Sequence, residues 1–419
     1  MRIACVVLLL GMVACAGRAP DGKTVARTVR VAQSGAADVV GSDNVALQKA
    51  ADMLKPGDTL VIGEGTYTMA TSVFLPSNVT VRGTPGKTVL LKNDGVSSPL
   101  AEDGDFGENR LLVAEPSRFR PGMGITVLDD RQSSGWDLSV TTIKAVEGKT
   151  LVVDPRMERD YDLDTQHARV QGTFPMLCLT NGENTLIEDI IVDGNKDKNS
   201  YIDGCRGGAI YLYKAKNVTI RHCVARNYNG DGISFQITDG IKVEACESVG
   251  NTGYGVHPGT GSPRATVKNC RMRGNGQIGL FLCWRVRNGE FSDNVIEDNG
   301  QYGISIGHKD TDNLFVNNTV QRNGTAGIYF RKETLKNSGH RNTFRKNRII
   351  DNGNPKAGYG VYVEPYAGDI VIEDNVIAET RGEQGAQRYG VYRAKGAGTV
   401  KLASNRMKGH LTANEAEAK

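Results

Sequence analysis

A glycine followed by an apolar-x-apolar triplet returns about every two dozen residues, and few folds tolerate such a period. The anchors are Gly208, Gly232, Gly255, Gly279, Gly303, Gly327, Gly360 and Gly390, separated by 24, 23, 24, 24, 24, 33 and 30 residues. A second marker follows each anchor at a similar offset: Cys223, Cys246 and Cys270, then Asn294, Asn318, Asn347, Asn375 and Asn405. Two markers in register predict a solenoid whose coil is three short strands. Strand residues alternate inward and outward. One coil is too small to bury its apolar face, so coils must stack. The asparagines are expected to form an internal ladder. The three cysteines continue it, which predicts buried stacking residues, not disulfides or metal ligands.

These repeats resemble the right-handed parallel β-helix of the pectate-lyase-like superfamily. The resemblance implies an all-β, single-stranded solenoid over about residues 30–410. Gly57-Asp58-Thr59-Leu60-Val61-Ile62 reads as its first coil. Asp43 is placed to cap a helix with apolar positions Val45, Leu47, Ala50 and Leu54. Such a helix would plug the open end. Residues 31–99 are thus cap helix and first coils, and 176–410 the repeats. Residues 100–175 break the period and read as a β-rich insertion of no legible role. The tail, 411–419, is polar and expected to be loose.

The chain starts with Arg2 and a short apolar run, Ile3 to Ala14, followed by small residues. This pattern predicts a cleaved signal over 1–16 and a linker over 17–30, hence export to the periplasm, the outer membrane or the medium. Met12-Val13-Ala14-Cys15 resembles a bacterial lipobox, which would make Cys15 a lipidation site and the only membrane attachment. Lys and Arg number 51 against 47 Asp and Glu, a net +4 that gives no reason to expect nucleic acid. A monomer is expected.

The resemblance also implies a substrate groove on the outer face of the glycine-opened strands. Alternation then points Tyr211, Tyr213, Ser234, Gln236, His257, Gly259, Phe281, Cys283, Ser305, Gly307, Tyr329, Arg331, Tyr362 and Glu364 outward. His257 lies among glycines that let a ligand approach. His308, Lys309, Arg331 and Glu333 follow on later turns, with Trp284 and Arg285 between. His340 and Arg341, in a coil with extra residues, are expected to wall the groove.

A basic groove with histidines suits an acidic polysaccharide. Elimination from a uronate needs a cation to neutralise the carboxylate, a base for the C5 proton and an acid for the leaving oxygen. His257 is the expected base, Arg331 or Lys309 the neutraliser, and Tyr329 or His308 the acid. Tyr213, Gln236, Phe281, Trp284, Arg285, His340, Arg341 and Glu364 are expected to bind substrate. No cofactor is required, although Asp310, Asp312 and Glu333 offer a set for Ca²⁺.

The alternatives are a glycoside hydrolase, a glycan-binding scaffold and a uronate C5-epimerase. Late motifs resemble those of polygalacturonase-type hydrolases, but Asn229-Gly230-Asp231-Gly232 holds one aspartate where that family has a pair. Tyr254-Gly255-Val256-His257-Pro258 resembles a mannuronan-epimerase motif, with its aspartate missing and its histidine displaced.

Overall fold

The computed structural model describes residues 26–131 and 134–418. The expected signal, the lipidation site Cys15 and most of the 17–30 linker lie outside them. Thr28–Ala32 is already a strand, paired with Thr59–Ile62.

Short strands stack into three parallel sheets of 13, 11 and 11 strands, each strand pairing with its counterpart one coil away. Strands of three residues recur, such as Thr219–Arg221 and Val224–Arg226, with the middle residue buried. Short strands suit a coil that must turn three times. The glycine-opened strands form one sheet, running from Val73–Phe74 through Ile233–Gln236 and Tyr302–Ile306 to Ala413–Glu417. Ile210 pairs with Ile233, so the residue opposite Gly232 is Ala209. The expected anchor Gly208 therefore sits one position too early, although Tyr211 and Tyr213 keep their outward register.

The asparagine ladder is present. Asn294 Nδ2 donates to Asn318 Oδ1 at 2.9 Å, and the relation repeats through Asn347 and Asn375 to Asn405. Cys270 N–H donates to Asn294 Oδ1 at 2.9 Å, and Cys246 N–H donates to Cys270 Sγ at 3.5 Å. Cys223, Cys246 and Cys270 are buried free thiols. A second ladder, Asn251, Asn275, Asn299, Asn323 and Asn352, ends on Gln387. These amides saturate each other, which removes the penalty for burying them. Phe291, Phe315 and Phe344 stack inside at 4.9 and 4.5 Å between centroids.

A helix, α1 (Asn44–Asp52), is capped by Asp43, whose carboxylate accepts from Ala46 N–H at 3.0 Å. Its buried face is Ala46, Leu47, Ala50 and Ala51. Val45, expected inside, is 67% exposed, and Leu54 lies beyond the helix end. The small alanines let the helix sit close on the first coil.

The insertion is a six-stranded antiparallel sheet between Ser97–Pro99 and Arg169–Gln171. It has its own core around Leu111, Ile125, Ile143, Leu151 and Tyr161. Val73 pairs directly with Leu177, so the solenoid continues across it. The tail corrects the expectation of a loose end: Ala413–Glu417 pairs in parallel with Tyr389–Arg393. The last coil presents unpaired backbone groups, and even a polar segment gains by taking them. No helix among the described residues is long and apolar enough to cross a membrane.

Candidate functional site

Three segments meet over the glycine-opened sheet. One is the turn around Asp203 to Arg206, another the insertion tip Ser134 to Trp136, the third the sheet face itself. Between them lies a cavity of about 250 Å³ lined by Asp203, Cys205, Tyr254, His257, Phe281, Cys283, Trp284 and the tip residues. It is smaller than the roughly 300–1,000 Å³ of a drug-sized ligand site. The Trp136 ring stands 6.1 Å from that of Tyr213, and Arg206 packs 5.6 Å over the indole. The insertion, silent in the sequence, is thus the roof.

His257 points outward as expected but is only 1% exposed. Its Nδ1–H donates to Asp231 Oδ2 at 2.7 Å, and Asp231 is fully buried. Asp231 also accepts from Tyr254 N–H at 2.8 Å. Cys283 lines the same cavity as the imidazole. Burial opposes a charged ring, but the bonds to Asp231 and Cys283 outweigh it and lift the imidazole to about 10. Burial pushes the Asp231 carboxyl up, against the pull of His257. Gly204 closes over the pair: a Cβ there would overlap the Asp231 carboxylate and stand 2.6 Å from His257 Nδ1. Phe281 lies 5.0 Å from the imidazole, ring to ring, and 4.0 Å from Tyr254. Burial and the Asp231 and Asp203 carboxylates hold the Tyr254 phenol well above its ordinary value, so it remains a donor.

At the rim, Trp284 is 44% exposed and packs its ring 4.6 Å from that of His308. His308 Nδ1–H donates to Glu333 at 3.2 Å. Arg331 lies over Phe281, 4.6 Å from its centroid, so it does approach the His257 side. It is not free, however. It donates to Ser305 Oγ at 2.9 Å and Leu282 O at 2.7 Å, and pairs with buried Asp310 at 3.3 Å. Arg285, Lys309 and Lys332, on the neighbouring turns, have no ion pair among the described residues.

Other expected residues go elsewhere. Gln236 is fully buried; its Oε1 accepts from Thr260 N–H at 2.7 Å and its Nε2 lies 3.5 Å from His257 Nε2, so it supports the site from beneath. Arg341 makes a two-pronged pair with Asp312 at 2.7 and 2.9 Å, and His340 bonds Leu335 O. The Arg341 pair ties neighbouring coils together, whereas the His340 bond closes its own turn. Asp310 accepts from Val286 and Gly307 N–H. Asp310, Asp312 and Glu333 each have a different partner, Arg331, Arg341 and His308. Among the described residues, no group of three or more His, Cys, Asp or Glu side chains is arranged to hold a metal. Tyr329 donates to Glu364 at 3.1 Å, which with burial raises its phenol. Both belong to a cluster of Tyr302, Tyr329, Tyr359, Tyr362, Tyr389 and Tyr392 farther along the sheet. Asp231, Cys283 and Tyr254 were missed as site residues. The signal was the register: Asp231 and Tyr254 each precede an anchor glycine, one coil apart.

Residues 188–337 match the family model described as a right-handed β-helix region. The fold is the right-handed parallel β-helix. Among solved β-helices, the A-module of the Azotobacter vinelandii mannuronan C-5 epimerase AlgE6 is 15% identical, with 90% of this chain and 93% of that one covered at a TM-score of 0.59. The AlgE4 A-module of the same organism is 16% identical, covering 91% and 96% at 0.56. PfbA, a surface adhesin of Streptococcus pneumoniae, is 13% identical, covering 91% of each chain at 0.55. Enzymes and an adhesin share this β-helix, so the fold alone does not choose an activity. No curated protein matches the sequence.

Proposed function

We propose that this β-helix protein is an exported carbohydrate-active enzyme that cleaves an acidic polysaccharide by β-elimination. The observation that carries the reading is the buried Asp231–His257 pair beneath a sugar-sized cavity rimmed by an exposed tryptophan. Trp284 offers a face on which a sugar ring stacks, and the half-buried tyrosine cluster extends such a surface along the polymer. Lys309, Arg285 and Lys332, next in the chain to His308, Trp284 and Arg331, are the positive charges offered to a uronate carboxylate. Tyr254, whose ring stands 5.3 Å from the imidazole and which lines the cavity, is the proton donor of this reading. It replaces the expected acids Tyr329, which is bonded to Glu364, and His308, which is bonded to Glu333.

Hydrolysis is less well supported. An inverting hydrolase needs two carboxyl groups about 6.5–9.5 Å apart with a water between them. Asp231 is buried against His257, and Asp203 accepts from Cys205 N–H at 2.9 Å. Epimerisation shares proton removal beside the carboxylate, and the likeness to two epimerase modules keeps it the second reading.

The test is a panel of uronate polymers, followed by ultraviolet absorbance and reducing ends together. Both are expected to rise. Reducing ends rising without absorbance would overturn elimination in favour of hydrolysis.

A further inference from the structure

We infer that the groove on the glycine-opened sheet is blocked at its N-terminal end, so that the cavity receives a chain end and the polymer runs from it toward the C-terminal coils. This rests on the carbohydrate-active reading above and adds a direction and a mode of attack: the protein works from chain ends, not at internal linkages.

The register puts one row of outward residues along the solenoid axis. Tyr211 pairs with Ser234, and Ser234 with His257. The pairing of Val256 with Leu280 carries the row to Phe281. Phe281 pairs with Ser305, Ser305 with Tyr329, Tyr329 with Tyr362 and Tyr362 with Tyr392. Neighbouring coils are about 4.8 Å apart, so the track from His257 to Tyr392 is about 24 Å long. A glycan on this face has two directions in which to leave the cavity.

The N-terminal direction is covered by main chain. Ser234 and Gln236, one coil before His257, are fully buried, and Tyr211, one coil earlier, is 7% exposed. The turn at residues 203–206 lies across both coils. Ser234 Oγ donates to Gly204 O at 2.6 Å, and the Tyr211 hydroxyl donates to Cys205 O at 2.7 Å. The turn is also fastened to the insertion. Arg206 donates twice to Leu138 O at 3.1 Å, pairs with Glu158 and packs over Trp136, whose ring stands beside Tyr213. A chain could pass this way only by breaking these contacts together.

The C-terminal direction carries accessible side chains. Arg331 lies on Ser305, donating to its Oγ at 2.9 Å, and Trp284 at the cavity is exposed. Tyr302, Tyr329, Tyr359, Tyr362, Tyr389 and Tyr392 follow, each half-buried, with Tyr302 and Tyr329 stacked at 4.3 Å. Aromatic rings with an apolar body and a polar tip, set out coil by coil, suit successive sugar rings. A site closed on one side holds only the length of chain between the blocked end and the reacting linkage. Each turnover therefore removes a fragment of one fixed length.

Product length and product chemistry are separate readouts. Alginate and polygalacturonate are digested with the folded protein, and viscosity, ultraviolet absorbance and product length are followed from the earliest stage. One short product of a single length is expected from the start, with viscosity falling slowly. A mixture of lengths with an early collapse of viscosity overturns the blocked groove, even if absorbance rises. A single product without absorbance removes elimination and supports the blocked groove. On a polymer that is bound but left intact, calorimetry with fractions of different mean length decides. One protein per chain is expected at every length, and a number of copies that rises with length overturns the inference. Neither cleavage nor binding on either polymer overturns it as well. The direction has its own test. Tyr362→Ala is expected to weaken polymer binding about two- to tenfold, from the loss of one stacking face. Lys214→Ala should leave it unchanged, because this exposed cation lies over Tyr213 on the covered side. Equal or reversed effects overturn the direction.

Discussion

His257 Nδ1 and Asp231 Oδ2 are 2.7 Å apart although 26 residues separate them in the chain. They lie on successive coils of one sheet, since Ser234 pairs with His257. The imidazole is raised to about 10 from an unfolded value near 6.5, and the Asp231 carboxyl is raised as well. Both signs agree. A group raised in the folded state adds stability that is complete below its unfolded value and lost as pH rises through the folded one. The contribution of this pair to stability is therefore expected to fall between pH 6.5 and about 10. Urea midpoints across that window should fall less in His257→Gln; an equal slope would contradict the pairing.

Lys92 predicts the opposite sign. Its ammonium is buried, donates to Gly172 O at 2.7 Å and to Asn199, and is lowered by burial to about 7. The unfolded chain binds that proton up to about 10.5, so this group makes stability rise with pH from about 7 to 10.5. Lys92→Met should remove that rise, measured by the same urea midpoints against the wild type.

Gly204 has no room for a methyl group, because it would overlap the Asp231 carboxylate. Gly204→Ala is expected to cost about 1–3 kcal/mol by overpacking. It should also weaken the pair's loss of stability between pH 6.5 and about 10, since the carboxylate must shift from His257. A variant with wild-type stability and pH dependence would show that the turn moves freely.

The Asn318 side chain makes four hydrogen bonds: it accepts from the backbone and side chain of Asn294, and donates to Asn347 and to Phe291 O. Each buried partner left unsatisfied costs about 1–3 kcal/mol. Asn318→Ala should therefore lose about 3 kcal/mol or more in chemical denaturation. Asn405, half-buried at the ladder's end, should lose less.

Trp284→Ala is expected to weaken polymer binding about two- to tenfold, from the loss of one stacking face worth about 0.5–1.5 kcal/mol. The effect should fall on KM more than kcat, because the indole touches His308 and lies outside the Asp231–His257 pair. A loss confined to kcat would place Trp284 in the chemistry instead.

The period of the glycines and of the asparagines determined the solenoid, its outward face and the buried state of Cys223, Cys246 and Cys270. Those features repeat locally, and a strand's alternation shows in the chain itself. The sequence also determined that His257 points out of the sheet. What covers it was decided only by tertiary structure. The roof comes from the insertion tip at Trp136 and the turn at Gly204, segments with no period. Asp231 reads in the sequence as a single aspartate where a hydrolase would have a pair, because its partner His257 lies one coil away, and Cys283 reads only as an outward residue of the groove. Arg331 and Arg341 read as free cations because the sequence does not show that Asp310 and Asp312 fold back onto them. A repeat dictates its own stacking. A site is built where non-repeating segments close over it, and those contacts are long-range.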